Sequence, residues 1–147
     1  MRDIFFDEVK GQFATDDLNR VHFLGHIPYH HFIQLLQLSS VHVYLTYPFI
    51  LSRSLLEAMS VGCAIIASDT QPVREAIRHD QTGRMLSYFD PPALADGVCD
   101  LLDKPEERAR LGAAARTFAK TTYDLKMVCL PRQMEWVREL GQSGNRG

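Results

Sequence analysis

The sequence predicts an α/β fold, with a short, mostly parallel sheet, helices on its faces and a helical C-terminal part. Short β-branched and aromatic segments alternate with helical patterns as far as about residue 90. One of those segments, CAIIAS (63–68), is apolar without interruption, as a strand buried on both faces must be. From Asp90 onward the pattern is helical throughout. A chain of 147 residues suits a single domain, 1–147, and is long enough to bury a core.

Taken in order, RVHFLG (20–25) and VHVYLT (41–46) read as strands, with Gly or Pro close behind each. Between them Pro28 precedes Phe32, Leu35, Leu36 and Leu38, a helical set. Ser52 or Ser54 caps a helix through Leu55, Leu56, Ala58 and Met59 to Gly62. CAIIAS follows, then TGRMLS (82–87) as a weaker fourth strand. Asp90 before Pro91 and Pro92 is an N-cap followed by proline at the first helical positions. Leu94, Val98, Leu101 and Leu102 form the apolar stripe of that helix. Pro105 opens the next, with Glu106 and Glu107 where the helix dipole favours acids, and Leu111, Ala115 and Phe118 as its buried face. A last helical segment, 124–140, contains Pro131, which should kink or split it, and 141–147 reads as a frayed tail.

Composition narrows the function. With 46% hydrophobic and 23% charged residues the chain is a globular protein, and a net charge of -2 with interspersed signs argues against a nucleic-acid partner. No apolar run approaches the ~20 residues of a membrane span. Acids inside MRDIFFDEVK make a signal peptide a poor reading. Cys63, Cys99 and Cys129 are odd in number and unpaired in spacing, which suggests reduced thiols and a cytoplasmic setting. His26, His30 and His31 have no accompanying acid, so no metal site is expected there, and His22 and His42 read as partly buried, hydrogen-bonded strand residues.

The informative stretch is HVYLTYPFILSRSLLEAMSVGCAIIASDTQPVREAI (42–77). A buried strand ends at Thr46, a loop follows, and a helix opens near Ser52 to Ser54 at the carboxyl edge of a parallel sheet, where such sheets bind ligands. A helix N-terminus there suits a phosphate, through unpaired N–H groups and the positive dipole end. Ser52 and Ser54 add hydroxyl donors, Arg53 a guanidinium fork, and Glu57, one turn on, a carboxylate able to accept from both hydroxyls of a ribose. Local chemistry alone equally allows the serines to be simple caps and Glu57 an exposed first-turn acid.

LLEAMSVGCAIIAS resembles the signature of the group 1 glycosyltransferases (family 4 in the usual classification). VHVYLTYPF-x-LS-x-S, the upstream VHFLGHIPY and the downstream TGRMLSYFDPPALADGVCDLLDKPEERARLGAAAR extend the likeness along nearly the whole chain. The resemblance implies a Rossmann-like three-layer domain, the C-terminal half of a GT-B enzyme. That half binds a nucleotide-diphospho-sugar for retaining transfer, with no cofactor and usually no bound metal. Glu57 then matches the second acid of the E-x7-E motif, the ribose ligand. Ser52, Arg53 and Ser54 match the loop beneath the diphosphate, and Gly25, His26 and Ile27 the turn against the base. The first motif acid is replaced by Phe49, and the glycine-rich turn by Asp69, Thr70, Gln71 and Pro72. Glu75 falls where the family often has an acid. By the same likeness the first two strands of the domain, with a basic diphosphate-binding loop, precede residue 1, so the domain is expected to be incomplete. Strand 20–25 then either pairs directly with 41–46 or leaves a gap for another chain. The last helix, which in the family crosses onto an acceptor-binding N-terminal domain, carries Met134, Trp136, Val137 and Leu140. A complementary domain of that kind or a homo-oligomer is the expected partner, and the isolated chain is expected to be inactive. A non-catalytic nucleotide- or protein-binding module on the same fold is the alternative. A receiver-type signalling domain ranks last, because no acid cluster, phosphoacceptor Asp and late-strand Lys coincide.

Overall fold

The computed structural model describes residues 8–13, 15–47 and 50–143. It forms two compact units, Met1–His31 and Phe32–Gly147. In the first, residues 8–10 are helical, α1 spans Thr15–Leu18, and α2 (Tyr29–Leu38) begins near its end.

The expected strand at 20–25 is corrected: residues 21–25 form no strand, and the sheet has only three members among the described residues. A ladder needs a neighbour, and strand propensity reports fit to a pleated surface more than any preference of the backbone itself. Phe23 instead packs edge-on against Phe13 at 6.0 Å, with the Lys10 ammonium 5.6 Å from its ring. His22, expected to be partly buried, is exposed.

The second unit runs β1 (His42–Tyr44), α3 (Arg53–Val61), β2 (Ile65–Ser68), α4 (Gln71–Ala76), β3 (Arg84–Leu86), α5 (Pro91–Asp103), α6 (Pro105–Tyr123) and α7 (Leu130–Ser143). The sheet order is β1-β2-β3, all parallel, with His42 opposite Ile65 and Ile66 opposite Arg84. Central β2 is buried throughout and sends alternate side chains to two cores. Ile65 and Ala67 join Leu55, Met59, Val73, Ile77 and Ala115 on one face, while Ile66 joins Leu101 and Leu111 on the other. These faces make the three layers of the α/β architecture.

Each helix is built as its sequence dictates, with small rotations. In α2 Leu36 is buried and Phe32 and Ile33 half-buried, while Leu35 and Leu38 are exposed. In α5 buried Gly97 replaces exposed Leu102 in the stripe, because a Cβ at residue 97 would lie 2.8 Å from the Leu86 side chain. Asp90 Oδ1 accepts from the Ala93 N–H at 3.0 Å and caps α5. Helix α3 ends at Gly62, whose φ of 85° is the left-handed conformation that closes a helix with least strain. Helix α6 crosses that point at Gly112, where an added Cβ would meet the Gly62 carbonyl oxygen at 2.2 Å. Pro131 does interrupt the last segment. Residues Leu125–Cys129 form one π-turn, and the Leu130 N–H reaches back five residues to the Leu125 carbonyl before Pro131, which has no N–H, enters α7. Helix α7 extends through Ser143.

Candidate functional site

The site is assembled at the carboxyl edge of the sheet. Ser68, the last residue of β2, is fully buried, and its hydroxyl closes a two-way link with β1. The Thr46 N–H donates to Ser68 Oγ at 2.9 Å, and Ser68 Oγ donates to the Thr46 carbonyl at 2.7 Å. A buried polar group bonded in both senses is a rigid pin. The β1–α3 loop returns to the sheet through Tyr44, whose hydroxyl accepts from the Ser52 N–H at 3.0 Å.

Ser52, and not Ser54, caps α3. Its backbone is extended, and its Oγ accepts from the Ser54 N–H at 3.3 Å. The two serine hydroxyls lie 2.9 Å apart. Helix α3 therefore opens with two hydroxyls and its first N–H groups toward the sheet edge. Arg53 is 88% exposed and its Nε lies 3.4 Å from Oε1 of Glu57, whose side chain is only 17% exposed. The Arg53 guanidinium keeps most of its contact with water, so the pair stabilises little and the fork is available to an anion. Ser52, Arg53, Ser54 and Glu57 are thus brought together at the opening of α3, whereas Gly25, His26 and Ile27 belong to the first unit. There Gly25 has a φ of 60°, His26 is exposed and Ile27 half-buried. Phe49 lies outside the described residues.

The altered turn after β2 is held by an ion pair. Arg74 on α4 donates from Nε and Nη2 to both oxygens of Asp69, at 2.6 and 2.9 Å, and these bonds hold the Asp69 carboxyl below the usual range. Beside it, Thr70 Oγ1 is buried with no hydrogen-bond partner. Glu75 is exposed on α4.

Sequence reasoning missed Tyr44 and Ser68, the two side chains that fix the loop. A Ser closing an apolar strand was the only available signal. The expected hydrogen bond at His42 is also corrected: its Nε2 is buried and unpaired, and burial pushes the imidazole below its ordinary value. All three cysteines are free, and burial raises the Cys63 thiol, which donates to the Leu36 carbonyl at 2.9 Å.

A separate charged cluster gathers about the start of β3 and the α5–α6 corner. Arg84, at the start of β3, bridges Asp80 (3.3 Å) and Asp100 (2.8 Å), and Lys104 also pairs with Asp100. A cavity of about 550 Å³ lined by Asp103, Lys104 and Arg110 lies at this α5–α6 corner, away from α3. Its walls are exposed, charged side chains in contact with water, so the hydrogen-bonded donors at the carboxyl edge are the better candidate site. Among the described residues no helix is long and apolar enough to cross a membrane.

Comparison with known proteins identifies the family and the fold. Residues 6–118 match the family described as glycosyl transferases group 1. The chain is 28% identical over 109 residues to an uncharacterized glycosyltransferase of Methanocaldococcus jannaschii, covering 74% of this chain and 28% of that one. It is 37% identical over 79 residues to the phosphatidyl-myo-inositol mannosyltransferase of Mycobacterium tuberculosis, covering 50% of this chain and 20% of the relative. It therefore spans less than a third of either relative. Among solved structures, Anabaena HepE in complex with UDP-glucose superposes with a TM-score of 0.73 at 20% identity, over 84% of this chain and 33% of that one. The C-terminal domain of a glycosyl transferase group 1 family protein from Francisella tularensis does so with 0.72 at 20% identity, over 85% of this chain and 66% of that domain. These likenesses show the GT-B, Rossmann-like fold. With the signature spread over most of its sequence and the fold to match, the chain belongs to the group 1 glycosyl transferases.

Proposed function

We propose that the chain binds a nucleotide-diphospho-sugar at the start of α3, as the donor half of a retaining glycosyltransferase. One observation carries the reading. The N-terminus of α3 opens at the carboxyl edge of a parallel sheet with Ser52, Arg53, Ser54 and Glu57 in its first six positions, the N-cap included. The diphosphate lies against the first N–H groups and the serine hydroxyls, and Arg53 leaves Glu57 to fork onto a phosphate oxygen. Glu57, freed of its partner, accepts from the ribose hydroxyls. Charge neutralisation by Arg53 and the helix dipole makes a metal ion unnecessary. The family's named members include a mannosyltransferase, and the solved neighbours include a UDP-glucose complex, which supports a hexose donor.

An acceptor-binding domain of the GT-B type completes the enzyme, and the 147-residue chain by itself transfers no sugar. The first motif acid is Phe49, which can neither accept a bond from a sugar hydroxyl nor stabilise a developing cation. Preorganised charge is usually the largest catalytic contribution, so its loss should be decisive.

The test is calorimetric titration of the chain with UDP, GDP and their hexose esters. Micromolar binding of one nucleotide series is expected. Binding no tighter than millimolar for all of them would overturn the reading and favour a non-catalytic module on the same fold.

A further inference from the structure

A second constellation stands at the carboxyl edge, beside the start of α3. Tyr47 follows the end of β1, while Tyr88 and Phe89 follow the end of β3. Strands β1 and β3 pair with opposite sides of β2, so rings that meet from these two loops arch over the carboxyl end of the central strand. They do meet. Ring centroids are 5.4 Å apart for Tyr47 and Tyr88, 4.9 Å for Tyr47 and Phe89, and 5.2 Å for Tyr88 and Phe89. The Tyr47–Tyr88 planes are inclined by 33°, and Phe89 stands edge-on to both.

The stems of the three rings are anchored. Thr46, next to Tyr47, is the residue pinned by the Ser68 hydroxyl. The Leu86 carbonyl accepts from the Asp69 N–H at 2.7 Å, and the Phe89 N–H donates to Ser87 Oγ at 3.3 Å. Yet the rings are wet: Tyr47 is 57% exposed, Tyr88 43% and Phe89 71%. Among the described residues neither phenolic hydroxyl has a hydrogen-bond partner. A cluster that served packing alone would hide its faces, and a contiguous exposed aromatic patch marks a binding surface.

We propose that Tyr47, Tyr88 and Phe89 form a stacking platform for a hexose ring. This rests on the nucleotide-sugar reading of the adjoining helix and adds to it a subsite for the sugar itself. A pyranose offers a face of polarised C–H bonds, which suits the electron-rich face of an aromatic ring. Its edge carries hydroxyls, for which the two phenols and the Asp69 carboxylate at the end of β2 supply partners. A donor sugar and an acceptor sugar share this chemistry.

Calorimetry and saturation-transfer NMR on the full chain test it. UDP-glucose or GDP-mannose should bind about three- to tenfold more tightly than the parent diphosphate, the range expected of one aromatic stacking contact. The variant Tyr88→Ala/Phe89→Ala should lose that difference and bind the diphosphate as before. Tyr88→Leu/Phe89→Leu, which keeps apolar bulk but no ring face, should behave alike and controls for a folding defect. In the NMR arm, methyl α-glucopyranoside or methyl α-mannopyranoside should show transfer to its ring C–H protons, absent with either variant. This arm needs no nucleotide, so it still reads the platform if the donor-site reading fails. Displacement of the methyl glycoside by UDP-glucose but not by UDP assigns the platform to the donor sugar, and persistence of its signals under saturating UDP-glucose assigns it to an acceptor. Equal losses for diphosphate and sugar ester in the variants would transfer the platform to the base and overturn the proposal. So would the absence of both the affinity difference and the glycoside signals in the unmodified chain.

Discussion

At the scale of single residues, the candidate site was half legible. Ser52, Arg53, Ser54 and Glu57 lie within six consecutive positions, so a capping pattern and a helical period suffice to place them together. Tyr44 and Ser68 were illegible because their roles depend on contacts across 8 and 22 residues, which no local pattern encodes. Replacing Glu57 by Ala should weaken nucleotide-diphosphate binding about ten- to hundredfold, the value of one charge-assisted hydrogen bond of about 1.5–3 kcal/mol. Calorimetry reads this directly, and an unchanged affinity would remove Glu57 from the site. His42 gives a separate, pH-dependent signature. Burial lowers its folded-state value below the unfolded 6.5, so the unfolded chain binds the extra proton first. The stability this neutral imidazole confers is present above the unfolded value and is lost as pH falls through about 6.5 toward the folded value. Urea unfolding at pH 7.5 and 5.5 should show lower stability at the lower pH, with a smaller drop in His42→Leu. The carboxyls of Asp69, Asp100 and Glu107 are lowered from acidic starting values, so their contributions fade only at more acidic pH.

At the scale of elements, helices were read well and the first strand was not. Caps and prolines are local devices, and Asp90, Pro91, Pro105 and Gly62 stand where they end or begin helices. Strand formation at 20–25 depends on a partner that local sequence cannot supply. Rotations of α2 and α5 by one position were also unreadable, because they are set by what faces the helix, such as Leu86 against Gly97. The α3–α6 crossing carries a sharp prediction. A Cβ at position 112 would overlap the Gly62 carbonyl oxygen, a backbone atom held by the C-cap, so the helices must separate to admit it. Gly112→Ala should therefore destabilise by about 1–3 kcal/mol despite its better helix propensity. A lower urea midpoint at unchanged slope is the expected outcome. An unaltered midpoint would mean that α6 can slide freely over α3.

At the scale of the whole molecule, the last helix is the exposed element. Leu130, Met134, Trp136, Val137 and Leu140 along α7 are each about half exposed or more. The same helix carries Arg132, Glu135, Arg138 and Glu139, a balanced set that lets two copies meet antiparallel without net repulsion. A self-complementary pair through α7 is the expected state at micromolar concentration, weakened by Trp136→Ala, and sedimentation measures it. A monomer persisting to about a hundred micromolar would overturn this expectation. The parallel order of the sheet has a consequence in time. Neither ladder can start from a hairpin, since the paired residues lie roughly twenty positions apart with a helix between them. The α5–α6 corner closes over a handful of residues, so it can form in advance of any strand pairing. Folding should then wait on two long loop closures, and during that wait the segment Ile65–Ser68, wholly apolar but for its last residue, is exposed to its neighbours in the cell. The strand that ends in the pinning serine is thus also the stretch of chain most in need of protection as it leaves the ribosome.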